Sequence, residues 1–167
     1  MNIKIFLLSL ATLIVSCQGF EFTYDKSPTI KLLEYNTFVT ISGDDIDIII
    51  SQLNNVVGAS TSSGEFTLMV TSSKTSNNIV IKDNQTVSQI EIKHILNYSL
   101  QKGGADCIVT EAKISTSSTY NLKSSGYSFG TDLAKIETAH DNIEKNINDF
   151  FQFLNNNHSN LDCKNED

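Results

Sequence analysis

Gln89-Ile90-Glu91-Ile92-Lys93-His94-Ile95-Leu96-Asn97-Tyr98-Ser99-Leu100 is the stretch that decides how this chain folds. Ile90, Ile92, His94, Leu96, Tyr98 and Leu100 fall on one side of an extended chain, and Glu91, Lys93, Asn97 and Ser99 on the other. That alternation belongs to a β-strand with one buried and one wet face. Upstream, Phe66, Leu68 and Val70 alternate with Thr67, Met69 and Thr71 in a strand that can continue through Ile79-Val80-Ile81 to a turn at Asp83-Asn84. Downstream, Gly103-Gly104 turns the chain into a third strand over Ala105 to Ser115. Consecutive strands with short turns predict an antiparallel meander.

The flanks supply one more strand and two helices. Thr29 to Ser42 ends in the β-favouring run Thr37-Phe38-Val39-Thr40-Ile41, read as a strand. Ser42-Gly43-Asp44-Asp45 then offers a capping hydroxyl and acidic residues for a helix start, a role that also accounts for the cluster Asp44, Asp45 and Asp47. Ile46, Ile49, Ile50, Leu53, Val56 and Val57 recur at helical spacing before Gly58. A polar stretch from Ser115 to Gly130 leads to a second helix, with Leu133, Ile136, Ile143, Ile147, Phe150, Phe151 and Leu154 on its apolar stripe. The order β-α-β-β-β-α predicts a two-layer α+β sandwich: a four-stranded, mostly antiparallel sheet with two amphipathic helices packed on one face. The other sheet face stays comparatively polar, and the sheet edges need protection or a partner.

The amino terminus reads as an export signal. Lys4 precedes an apolar run from Ile5 to Val15, too short to span a bilayer, which takes roughly 20 apolar residues. Leu13-Ile14-Val15-Ser16-Cys17 looks like a bacterial lipobox, in which the thiol is acylated and the cysteine becomes the first residue; an ordinary signal peptide is the alternative. We therefore expect a signal peptide over 1–16, an anchor segment over 17–29, one α+β domain over 30–155 and a polar, disordered tail over 156–167. The net charge is −7 with no arginine, and removing Lys4 makes it −8. An acidic chain without a basic block argues against nucleic acid as a partner. Cys107 lies in an apolar run and Cys163 in the polar tail. Export would permit a bond between them, but we expect none, since nothing in the sequence brings them together.

Catalytic chemistry finds no constellation here. His94, His140 and His158 fall on a strand face, a helix and the tail without metal-ligand spacing, and each reads as structural or solvated. Nucleophile-elbow, P-loop and paired-cysteine zinc signatures are missing. The Asn-X-Ser/Thr triplets at Asn84, Asn97 and Asn157 are expected by chance in a chain rich in these residues.

Cys17 followed by Gly19, Phe20 and Tyr24 opens the chain. Strand, helix and meander follow, with the middle turn Ile81-Lys82-Asp83-Asn84-Gln85. A serine-rich link with Thr119-Tyr120-Asn121 and Ser125-Gly126-Tyr127 leads to the long final helix. In order and placement this resembles LptE, the lipoprotein partner of the outer-membrane lipopolysaccharide translocon, and especially its short alphaproteobacterial forms. The likeness runs over residues 17 to 155. It implies a lipoprotein held at the periplasmic side of the outer membrane by diacylglycerol and an N-acyl chain on Cys17, with no other cofactor and no turnover. It also implies a place inside a large LptD-like β-barrel, with a part in lipopolysaccharide delivery. Gln18 is compatible with outer-membrane sorting, because it is not the Asp that commonly retains lipoproteins in the inner membrane. Lys82 matches the family's basic turn residue, the candidate lipopolysaccharide contact, where a cation meets an anionic phosphate. A solvated turn lysine is the alternative, and Asp83 and the missing arginines depart from the family pattern. Three other readings remain: an auxiliary periplasmic lipoprotein of a lipid-trafficking ABC transporter, a eukaryotic secreted protein cut near Gly19, and a small hydrolase.

Overall fold

The computed structural model describes residues 27–59, 64–81, 87–122 and 129–164. In chain order the elements are α1 (Pro28–Leu33), β1 (Thr37–Gly43), α2 (Ile46–Val57), β2 (Phe66–Ile81), β3 (Val87–Lys102), β4 (Ile108–Asn121) and α3 (Phe129–Asn157). The four strands form one sheet in the order β1-β2-β3-β4. β1 pairs parallel with β2 from Thr37↔Phe66 to Gly43↔Ser72, with α2 as the connection. β2, β3 and β4 are the expected antiparallel meander. The architecture is the α+β sandwich that the sequence predicts, with one element added.

The added element is α1. Ser27 Oγ accepts the Ile30 N–H at 3.3 Å and Pro28 occupies the first turn, where its missing N–H costs nothing. Its Thr29 and Leu33 are buried, and the Thr37 hydroxyl donates to the Leu33 carbonyl at 2.8 Å as the chain enters β1. The long β2 runs through Ile81 as expected, but β4 does not. It begins at Ile108 rather than Ala105 and continues to Asn121, so the polar link expected from Ser115 is strand for its first seven positions. Thr116, Ser118 and Tyr120 keep the inward alternation there, opposite His94, Ile92 and Ile90. Thr116 is admitted because Asn142 and Asn146 of α3 bond its hydroxyl.

Leu68, Val70, Leu96, Tyr98 and Leu100 point from the sheet into a core completed by Ile49 and Leu53 of α2 and by Ile143, Ile147, Phe150 and Leu154 of α3. Phe150 stacks on Tyr98 with ring centroids 4.1 Å apart, and Phe151 meets Phe150 edge-on. Each such buried side chain stabilises the fold by about 1.5–3 kcal/mol. Four positions assigned to the apolar stripes are exposed instead: Ile46 and Ile50 of α2, and Leu133 and Ile136 of α3. The first pair lies on the rim of α2's apolar arc, and the second lies N-terminal to Ala139, where the buried stretch of α3 begins.

The tail departs most from expectation. Leu161 is buried, Lys164 donates its N–H to the Ile108 carbonyl at 2.7 Å, and Cys163 is disulfide-bonded to Cys107. The expected disorder is corrected for residues 156–164, the first two of which end α3, and so is the expectation of free thiols. Leu161 supplies the apolar anchor that a composition reading overlooks. Its burial carries Cys163 back to the entrance of β4, with Cα atoms 5.1 Å from those of Cys107.

Candidate functional site

Most of the convergent chemistry in the fold lies between the sheet and α3. Gly43 turns the chain out of β1 at φ +106, where a Cβ would overlap the Ser72 carbonyl oxygen. Asp44 and Asp45 are thereby laid over β2. The Asp44 carboxylate accepts the Lys74 backbone N–H at 2.7 Å. Asp45 precedes α2 in the left-handed region and makes no capping bond with its side chain. Its oxygens go elsewhere: Oδ1 to Lys74 Nζ at 2.7 Å and Oδ2 to His94 Nε2 at 2.8 Å. The capping role expected for this acid is therefore corrected, because a buried imidazole and an ammonium compete for both oxygens. Burial pushes the Asp45 carboxyl up, but the hydrogen bonds from Lys74 and His94, with the Lys74 ammonium charge, outweigh it and hold the group below its ordinary value.

His94 is fully buried on the inward face of β3, opposite Thr116. Asn142 of α3 donates through Nδ2 to His94 Nδ1 at 2.9 Å and to the Ile92 carbonyl at 3.1 Å, with the Thr116 carbonyl at 3.4 Å. Two carbonyls can only accept, so Nδ2 is the amide atom facing the ring, and the imidazole accepts at Nδ1 and donates at Nε2 to Asp45. One turn on, Asn146 donates to the Ile114 carbonyl at 3.1 Å and to Thr116 Oγ1 at 3.0 Å, and accepts the Tyr98 hydroxyl at 2.9 Å. Burial, with the nearby Asp149 carboxylate, pushes the Tyr98 phenol up and keeps it a donor. Thr116 closes the circuit by donating to the Asn142 carbonyl at 3.1 Å.

A carboxylate orienting an imidazole is a familiar general-base arrangement, but both nitrogens of His94 are engaged and the ring is sealed under α3. The network braces α3 and the turn before α2 against the sheet. His140 and His158 are braces as well. Gln52 of α2 lies 2.8 Å from His140 of α3, and Thr110 of β4 lies 3.2 Å from His158. Among the described residues no three His, Cys, Asp or Glu side chains converge as a metal site would require.

Sequence reading missed Asn142 and Asn146 as partners. Their signal was spacing: they sit next to Ile143 and Ile147 on the sheet-facing side of α3, where an amide must have buried partners. His94 within an apolar alternation was the matching half of that signal.

The other face of the sheet is the second candidate surface. In the described residues no helix packs on it. The register sets Thr40, Met69, Ser99 and Glu111 in one row, and Ser42, Thr71, Asn97 and Lys113 in the next. Met69, Thr71, Asn97, Ser99, Glu111 and Lys113 line a shallow depression of about 530 Å³ there. Hydroxyls and amides with a few apolar and charged groups suit a hydrated contact with another polar surface. Cys17 and Lys82, the two residues singled out from the sequence, lie outside the described residues; Lys82 belongs to the connection between β2 and β3.

No family model matches the sequence, and no curated protein sequence matches it either. Solved structures do share its fold. A Caulobacter crescentus protein assigned to the lipoproteins matches with a TM-score of 0.58 at 11% identity, covering 77% of this chain and 93% of that one. Rare lipoprotein B from Shewanella oneidensis matches with a TM-score of 0.50 at 11% identity, over 72% of this chain and 98% of that one. A minor lipoprotein from Acinetobacter baumannii matches with a TM-score of 0.50 at 11% identity, over 81% and 99% respectively. At this identity the likeness is one of fold. No described helix is long and apolar enough to cross a membrane.

Proposed function

We propose that this protein is an outer-membrane lipoprotein, acylated on Cys17, that acts as plug and assembly partner of a large LptD-like β-barrel in lipopolysaccharide transport. It works by binding and scaffolding, without turnover. The observation that carries the reading is the long, hydroxyl- and amide-rich sheet face, on which no described helix packs, in a fold shared with three bacterial lipoproteins. The lumen of a large barrel is polar, and a plug needs a surface that exchanges bound water for polar contacts without exposing apolar area. The lipobox-like Leu13-Ile14-Val15-Ser16-Cys17 supports the anchor. Several acyl chains hold firmly, at about 0.8 kcal/mol for each buried methylene. Lys82 is the candidate lipopolysaccharide contact, as a single compact cation in the segment that joins two long strands.

The test is a gentle-detergent purification of the full-length tagged protein from its own envelope, with mass spectrometry of its partners and mature amino terminus. A lipid-modified Cys17 together with a stoichiometric large barrel is the expected result. A lipid-modified Cys17 with an inner-membrane ABC transporter would replace the barrel by a periplasmic bridging role. An unmodified terminus cut elsewhere would overturn the reading. If the barrel is found, Lys82→Glu should weaken lipopolysaccharide crosslinking while leaving the barrel complex intact.

A further inference from the structure

We propose that the pole of the domain from which the amino-terminal tether departs rests on the bilayer surface, adding an apolar contact to the lipid on Cys17. The inference depends on the lipid anchor in the proposed function and not on the barrel. β1, β2 and β4 begin at this pole and β3 ends there, together with α1 and the last turns of α3. It exposes four large apolar side chains: Leu32 at 52%, Tyr35 at 66%, Phe38 at 43% and Phe153 at 37%. Leu32 lies on the exposed flank of α1, beside its buried Thr29 and Leu33. Tyr35 is held at φ 56, a region that bulky residues avoid, with its N–H bonded to the Val57 carbonyl at 2.8 Å and its ring against Gly58. An aromatic ring fixed in a strained position yet left mostly in water matches the ring-at-the-interface use of tyrosine in membrane proteins.

The tether identifies the occupant. Ten residue steps separate Cys17 from Ser27, which span about 35 Å at most when extended. β2 and β3 are 16 residues each, about 50 Å long. The tether therefore holds this pole near the anchored leaflet. The far pole, with Ile79, Leu133 and Ile136 exposed, cannot reach that leaflet by upending the domain. The charges at the near pole are mixed, Lys31, Lys102 and Lys164 among Glu34, Glu65 and Asp162, with Lys102 paired to Glu65 at 3.7 Å. A contact of this composition is apolar in character and insensitive to salt, unlike a basic patch on anionic lipid.

The chain has no tryptophan, so a single introduced one reports one place. Lipidated full-length Leu32→Trp, Phe38→Trp and, as a far-face control, Ser117→Trp are reconstituted into phosphatidylethanolamine vesicles with a minor phosphatidylglycerol fraction, with and without brominated acyl chains. Blue-shifted emission that brominated lipid quenches at the two near-pole sites and not at Ser117→Trp, unchanged by salt, is the expected result. Equal, negligible quenching at all three sites in protein that floats with the vesicles would overturn the pole contact and leave the anchor standing. Failure to float would remove the anchor on which the inference rests. Two near-pole reporters guard against a single misfolded variant.

Discussion

Asn142→Ala tests whether the buried polar network is the brace between α3 and the sheet. The substitution removes one NH₂ group that serves His94 Nδ1 at 2.9 Å and the Ile92 carbonyl at 3.1 Å. Leaving a buried acceptor without a donor costs about 1–3 kcal/mol. The imidazole nitrogen has a single lone pair and falls near 2 kcal/mol, whereas a carbonyl retains a second lone pair and falls near 1 kcal/mol. The space vacated beside Ile143 and His94 adds roughly 1 kcal/mol. Asn142 Oδ1 is buried without a hydrogen-bond partner, so its removal returns about 1 kcal/mol. The expected loss is thus about 3 kcal/mol, which lowers the melting temperature by about 6–12 °C for a domain of this size. Thermal and urea unfolding followed by circular dichroism measure it, with Glu144→Ala on the exposed side of α3 as the control, expected within about 0.5 kcal/mol of the parent. A loss below about 1 kcal/mol for Asn142→Ala would refute the reasoning. It would mean that the amide bonds only replace water and that α3 is held by its apolar stripe alone.

Asp45 predicts a pH dependence. Its folded pKa lies below its unfolded value, so its contribution is fully present above the unfolded pKa of about 3.9 and is lost as pH falls through the folded one. Asp45→Asn should therefore destabilise the protein at neutral pH, and the gap between variant and parent should narrow in urea titrations below about pH 4. Replacing Cys107 and Cys163 by serine opens a loop with a sequence separation of 56, for which chain entropy predicts a cost of about 4 kcal/mol. The same experiment, followed by proteolysis between Asn157 and Lys164, should show the tail released. Phe150→Ala removes the ring stacked on Tyr98 and should cost about 3–5 kcal/mol in equilibrium unfolding.

Local pattern carried most of the architecture. The alternation from Ile90 to Leu100 determined by itself that β3 has one wet and one buried face, and the 3.6-residue spacing of Ile143, Ile147, Phe150 and Leu154 determined the helix that covers it. Both are periodicities that neighbouring residues impose on one another, so no distant contact is needed to read them. α1 was legible too, in Ser27 followed by Pro28, but its six residues carry too little periodicity to stand out. What only the tertiary structure decided is where polar groups far apart in sequence meet. Asp45, Lys74, His94 and Asn142 come from the turn before α2, β2, β3 and α3; Asp45 alone reads as part of a helix start and His94 as structural or solvated, and neither Lys74 nor Asn142 stands out by itself. Likewise Cys163 sat in a segment of polar composition, and the burial of Leu161 drew it back onto β4. A hydrogen bond or a disulfide depends on separation in space, which periodicity along the chain does not encode.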